Sequence, residues 1–285
     1  MHTFRNSITI IIFGLILTSC SSMISSATNK MAKNLSSAII NNDDLATVKS
    51  GAPAYLLMLD SFIEGDPNDS TMLLSASKLY SAYAGVFVKD AERAKRLTQK
   101  SLDFALTANC LESSDRCNLK SIDFNKFEKI ILQYKKEQIE YLFTLGSSWA
   151  GWIQSHSDDW NAAADLARVT TIMNHALKLD ERYQSGQIHL YLGVLNTLLP
   201  PALGGKPEVG KHHFETAILF SDNKNLMAKV IYAEKYARLM FKQELHDQLL
   251  NEVLKTEPRS KGFTLTNMLA HKQAKELLAS GKDYF

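Results

Sequence analysis

The chain has 285 residues, 45% hydrophobic and 22% charged, with a net charge of +2. The hydrophobic fraction excludes a disordered chain, and the near-neutral balance gives no strong electrostatic pull on nucleic acid. Thirteen glycines and six prolines are too few for the turns of a many-stranded sandwich or propeller, so an all-α fold of long helices is expected, with enough core for one large domain.

Arg5 precedes the apolar run Ile8 to Leu17. About 20 residues are needed to cross a bilayer, so this run suits the h-region of a signal peptide instead. It ends in Leu17-Thr18-Ser19-Cys20, which resembles the lipobox of bacterial lipoproteins. The resemblance implies cleavage before Cys20 and a diacylglycerol on its sulfur; a plain signal peptide that happens to contain a cysteine is the alternative. Residues 1–19 are thus expected to be a signal peptide, and 20–35, rich in Ser, Asn and Lys, a flexible tether. Residues 36–285 are expected to form a single helical domain. Ser21 rather than Asp after the cysteine favours an outer-membrane anchor facing the periplasm, with the inner membrane as the alternative.

Helical periodicity then predicts segments in order. The first covers 36–50, interrupted at Asn41–Asp44, and a break follows at Gly51 and Pro53. Further helices are expected over 55–64, 70–88 and 90–107, then a long region over 124–152 broken once. The rest fall at 160–179, 184–199, 207–220, 225–240, 243–256 and 266–279. Trp160 is expected to act as a hydrophobic staple for its helix. Between the fourth and fifth segments lie Cys110 and Cys117, in a polar stretch. With Cys20 lipidated they are an even number outside the cytosol, so they are either bridged or two free thiols.

Helices in pairs suggest repeats. A small residue, a large one four later and a small one three beyond recur at Gly210-Phe214-Ala217 and Val169-Met173-Ala176. Partial copies stand at Leu249-Val253, with Pro258 following, and at Ala94-Thr98-Ser101. The last residues of three copies, Ala176, Ala217 and Val253, lie 41 and 36 residues apart, against 34 in a tetratricopeptide repeat. The expected architecture is therefore degenerate tetratricopeptide-like helix pairs packed as an α-α superhelix, with an unrelated helical bundle as the alternative.

Several motifs recur in a familiar order: Val48–Leu56 (VKSGAPAYL), Leu79–Ala84 (LYSAYA) with Phe87, Trp149-Ala150-Gly151-Trp152, Pro201–Gly205 (PALGG), Phe214–Ala217, Val230–Tyr236 and Leu249–Pro258. Asn267, Ala270, Ala274 and the terminal Asp283-Tyr284-Phe285 complete the series. Together with the lipobox these resemble the T component of TPR-associated TRAP transporters, the TatT family. The resemblance implies a lipid-anchored periplasmic protein of cryptic tetratricopeptide repeats and a homotrimer. It also implies a partner, the soluble solute-binding P component, and an organic solute, hydrophobic ones included, passed through the fold. The Cys110–Cys117 segment is not part of that pattern.

Chemistry-bearing motifs are sparse. Gly205 to Lys211 fits GxxxxGK, but His212 stands where a P-loop needs Ser or Thr, and Pro207 removes a cradle N–H. Pro201, Gly204 and Gly205 are read instead as a loop between paired helices. His212 and His213 point about 100° apart on a helix, His175 and His189 flank a turn and could approach, and no HExxH or GxSxG occurs. Asp66–Asp69 reads as a helix-capping turn, not an EF-hand. No catalytic residue, metal site or cofactor is expected. Tyr141, Leu145, Trp149 and Trp152 share one helical face and form a candidate ligand or partner surface, with core packing between helix pairs as the commoner use of such a stripe. Three functions follow: a scaffold of a TRAP-type uptake system, a general tetratricopeptide adaptor of envelope assembly, or an envelope enzyme, for which no cluster of titratable groups is evident.

Overall fold

A computed structural model describes residues 30–31 and 34–285. The signal-peptide stretch, Cys20 and much of the tether lie outside the described residues. The chain divides into two compact units, one ending at Ala38 and one spanning Ile39–Phe285. In the first, residues 34–38 are helical; all elements below belong to the second.

Among the described residues there are twelve α-helices and no strand. They are α1 Leu45–Gly65, α2 Ser70–Phe87, α3 Ala91–Glu112, α4 Phe124–Ile131, α5 Ile139–Ser155, α6 Trp160–Ala164, α7 Leu166–Leu179, α8 Gln187–Asn196, α9 Pro207–Phe220, α10 Leu226–Tyr232, α11 Gln243–Lys255 and α12 Thr264–Tyr284. A π-helical turn, Ala233–Ala237, extends α10.

Aspartates start many of these helices. Asp44, Asp69, Asp90, Asp123 and Asp159 each accept a hydrogen bond from a backbone N–H in the first turn of the helix that follows, satisfying donors that have no intrahelical partner. The expected break at Gly51 and Pro53 does not occur: α1 runs through both. Proline leaves the carbonyl of Lys49 without its helical donor, and Lys49 is exposed, so water can serve it. Val48, Ala52, Tyr55, Leu56 and Leu59 are buried on one face and hold the helix across the proline. The expected helix over 160–179 is split at Asp165, whose carboxylate is engaged elsewhere.

Successive helices pack on their neighbours. The main pairs are α2 with α3, α5 with α7, α8 with α9, and α10 and its π turn with α11. Adjacent pairs join through α3 with α5, α7 with α8, and α9 with α10. The repeated triads lie inside these contacts. Val169, Met173, Ala176, Phe214, Val253 and Ser101 are fully buried, and Ala217 is nearly so. Their partners include two glycines in Leu-Gly pairs, Leu145-Gly146 on α5 and Leu192-Gly193 on α8. A Cβ on Gly146 would fall 2.6 Å from Ile172 Cγ2, and one on Gly193 would fall 2.5 Å from Phe214 Cε1. Both helix pairs approach too closely for any side chain there.

Two cores result. One gathers Leu102, Phe127, Leu142, Trp149, Ile172 and Met173 from α3 to α7. The other gathers Phe214, Tyr232, Tyr236, Leu250 and Ala274 from α9 to α12. Helix α8 serves both: Ile188 and Leu192 enter the first and Leu190 the second. The array also returns on itself. The last helix, α12, packs against α1, and just before it Arg259 Nη2 lies 2.9 Å from Asp43 Oδ2. Close by, the Gly262 N–H donates to Asn41 Oδ1 at 2.7 Å.

Candidate functional site

The aromatic stripe lies along α5, which packs on α2, α3 and α7. Its middle is inaccessible, with Leu145 and Trp149 both fully buried. The Trp149 indole N–H donates to Asp165 Oδ2 at 3.0 Å, and Phe127 meets the indole edge-on at 6.0 Å between centroids. Asp165 thus receives a buried donor at the α6–α7 junction, and Arg168 stands 3.4 Å away as its counter-charge. The ends of the stripe are more polar. Tyr141 is half-buried, its hydroxyl 2.8 Å from Ser70 Oγ. Trp152 donates through its indole N–H to Gln99 Oε1 at 2.7 Å. Lys120 Nζ lies 4.0 Å over the Trp152 ring, and His156 stacks on it.

Lys120 belongs to the segment after the cysteines. Cys110, in the last turn of α3, is bonded to Cys117. The neighbouring Arg116 is buried against Tyr134, its guanidinium 3.8 Å from the ring centroid. One nitrogen, Nη2, donates to Gln138 Oε1 at 3.2 Å, while Nε and Nη1 have no partner.

The loop between α8 and α9 contains Pro201, Gly204 and Gly205. Pro201–Leu203 forms a 3₁₀ turn, and Gly204 ends it at φ +88°, a conformation that glycine adopts freely. A side chain on Gly205 would overlap the Leu199 carbonyl. Pro207 occupies the first turn of α9, as its position in the sequence suggests. Leu198, Leu199 and Leu203 are exposed around this loop, Leu203 by 67%.

The histidines assemble differently from the sequence expectation. His175 does not meet His189; its Nε2 lies 3.0 Å from the Tyr134 carbonyl oxygen. His189 on α8 meets His213 on α9 instead, with the two Nδ1 atoms 2.8 Å apart. One ring therefore donates and the other accepts. Burial lowers both to about 4, which keeps both rings neutral at pH 7. Glu181 Oε1 stands 3.6 Å from His189 Nε2, and Phe220 contacts His189 edge-on. The expected staple by Trp160 is also absent, since that side chain is 90% exposed.

No group of three or more His, Cys, Asp or Glu side chains placed to hold a metal is found among the described residues. Nor is any helix among them long and apolar enough to cross a membrane. What stands out is a helix-pair array with closely packed joints, buried aromatic side chains and an exposed apolar loop. A family model, TRAP transporter T-component (TAtT), matches residues 41–285. The chain therefore belongs to the TRAP transporter T-component family, whose members are accessory proteins on the periplasmic side of the transporter and not a known class of enzyme. It matches no curated protein.

Sequence reasoning missed Gly146, Gly193 and Asp165. The Leu-Gly pair followed three residues later by a large side chain, at Leu145-Gly146 and Trp149, was the available signal for the first helix of a pair.

Proposed function

We propose that this protein is a lipid-anchored periplasmic scaffold of a TRAP-type uptake system, which docks a soluble solute-binding P component and helps pass on an organic solute. The observation that carries this reading is the family match, which spans the whole helix-pair array from residue 41 to 285. Cys20 would supply the anchor, two or more acyl chains being enough for stable attachment. Successive helix pairs with glycine at the close contacts support a tetratricopeptide-like superhelix, and three copies would assemble as a homotrimer. Leu198, Leu199 and Leu203 offer an exposed apolar surface of the kind used in protein contacts. In the stripe of Tyr141, Leu145, Trp149 and Trp152, the polar-edged Tyr141 and Trp152 are the positions where a solute or partner would be met.

The test is co-purification of the mature protein with the P component encoded in the same organism. A stable complex is the expected outcome. No association at concentrations of tens of micromolar would overturn the docking role; sedimentation of the soluble fragment, giving a monomer at high concentration, would remove the trimer.

A further inference from the structure

We propose that His189 and His213 form a bis-imidazole site for a divalent transition metal, with Cu²⁺ preferred, then Ni²⁺, and with Glu181 as the outer carboxylate behind His189. The inference is independent of the transporter reading. It rests on two nitrogen ligands carried by two packed helices, 2.8 Å apart. Metal–imidazole bonds of about 2.0–2.1 Å spanning that separation give an N–metal–N angle of about 90°. That angle suits adjacent positions of a tetragonal or octahedral ion better than a tetrahedral one, so Cu²⁺ and Ni²⁺ fit better than Zn²⁺.

The surroundings are those of a held ligand. His189 is 2% exposed and fixed by the edge of Phe220, whereas His213 is half-buried and opens the site to solvent. Without metal, one Nδ1 carries a hydrogen and donates it to the other. With metal on both Nδ1 atoms, that hydrogen stands on Nε2 of the same ring, and no net proton is released. Each ring then presents an Nε2–H. In the free pair, His189 Nε2 has no hydrogen-bond partner, although Glu181 Oε1 is only 3.6 Å away. A shift of a few tenths of an ångström would complete a carboxylate–histidine–metal arrangement, which orients the ring and raises its basicity. No third protein ligand is in place among the described residues, so water fills the remaining positions.

The test uses the protein without a histidine tag, titrated at neutral pH with Cu²⁺, Ni²⁺ and Zn²⁺ in separate runs. Expected results are one saturable equivalent of Cu²⁺, an electron paramagnetic resonance spectrum with coupling to two imidazole nitrogens, and a rise in Tm. His213→Gln should weaken binding at least tenfold and abolish the Tm rise, and Glu181→Gln should weaken it about tenfold. His213 is the informative position because its partial exposure makes the variant tolerable to the fold, whatever His189→Gln does. Absence of one-to-one binding at millimolar metal would overturn the proposal. So would affinity that survives His213→Gln but is lost in His212→Gln, which would mark chelation by the exposed His212.

Discussion

The ring of Phe214 occupies the place that a side chain on Gly193 would need: a Cβ there would lie 2.5 Å from Cε1 and 2.6 Å from Cδ1 of that ring. Phe214 is fully buried and has no room to retreat. Gly193→Ala should therefore destabilise the protein by about 1–3 kcal/mol, the cost of overpacking a close contact. Gly51→Ala is the control. Gly51 sits mid-helix with nothing near its would-be Cβ, and alanine there should stabilise by about 0.5–1 kcal/mol. Urea denaturation of the two variants would show opposite shifts in midpoint.

Trp149→Phe keeps the ring against Phe127 but removes the N–H that Asp165 accepts. A half-buried carboxylate oxygen then loses its donor, which should cost about 1 kcal/mol. Trp149→Ala should cost more, about 3–5 kcal/mol, through the cavity it leaves. A Trp149→Phe variant as stable as the unsubstituted protein would mean that the hydrogen bond to Asp165 contributes nothing.

The His189–His213 pair makes stability depend on pH. Histidines in the unfolded chain titrate near 6.5, and burial lowers these two to about 4 in the folded protein. Between those values the unfolded chain binds more protons, so stability rises with pH across the window. The contribution is fully present above about 6.5 and is lost as the pH falls toward 4. His212, exposed beside His213, adds repulsion once it is charged, and Glu181 partly offsets it. Tm measured between these limits should fall with acid and should fall less in His213→Gln; parallel curves would show that the pair is not the cause.

The Cys110–Cys117 bridge closes a short loop, seven residues in sequence separation. Loop-closure entropy for such a length predicts about 2–3 kcal/mol of stabilisation. Reduction, or the double change to serine, should lower the denaturation midpoint accordingly without altering the helical circular dichroism. A midpoint insensitive to reductant would show that the constraint is already supplied by packing of the α3 end.

Arg116 is buried with two guanidinium nitrogens unpartnered. Arg116→Met fills the same space over Tyr134 without an incompletely satisfied charge. The variant should range from unchanged to about 2 kcal/mol more stable, as apolar replacements of buried charged groups often are. Marked destabilisation would indicate that the contact with the Tyr134 ring outweighs the desolvation.

By itself the sequence determined the helical class, the order of most helices and the joints between them. Apolar spacing near 3.6 residues, aspartates at helix starts and scarce Gly and Pro are local signals, and local hydrogen bonding answers to them. It also marked the small–large–small triads that the structure buries, since a close helix pair leaves no other use for them. Tertiary structure alone decided whether Pro53 would break a helix, because an apolar face packed on α2 outweighs one lost hydrogen bond. The same holds for the split at Asp165, where a carboxylate is drawn to the indole of Trp149, 16 residues away. His189 met His213 rather than His175 because α8 and α9 lie antiparallel across a loop, which brings residues 24 apart in sequence to hydrogen-bond distance. Periodicity records which face of a helix is apolar, but the residue opposite that face is set by how the helices dock.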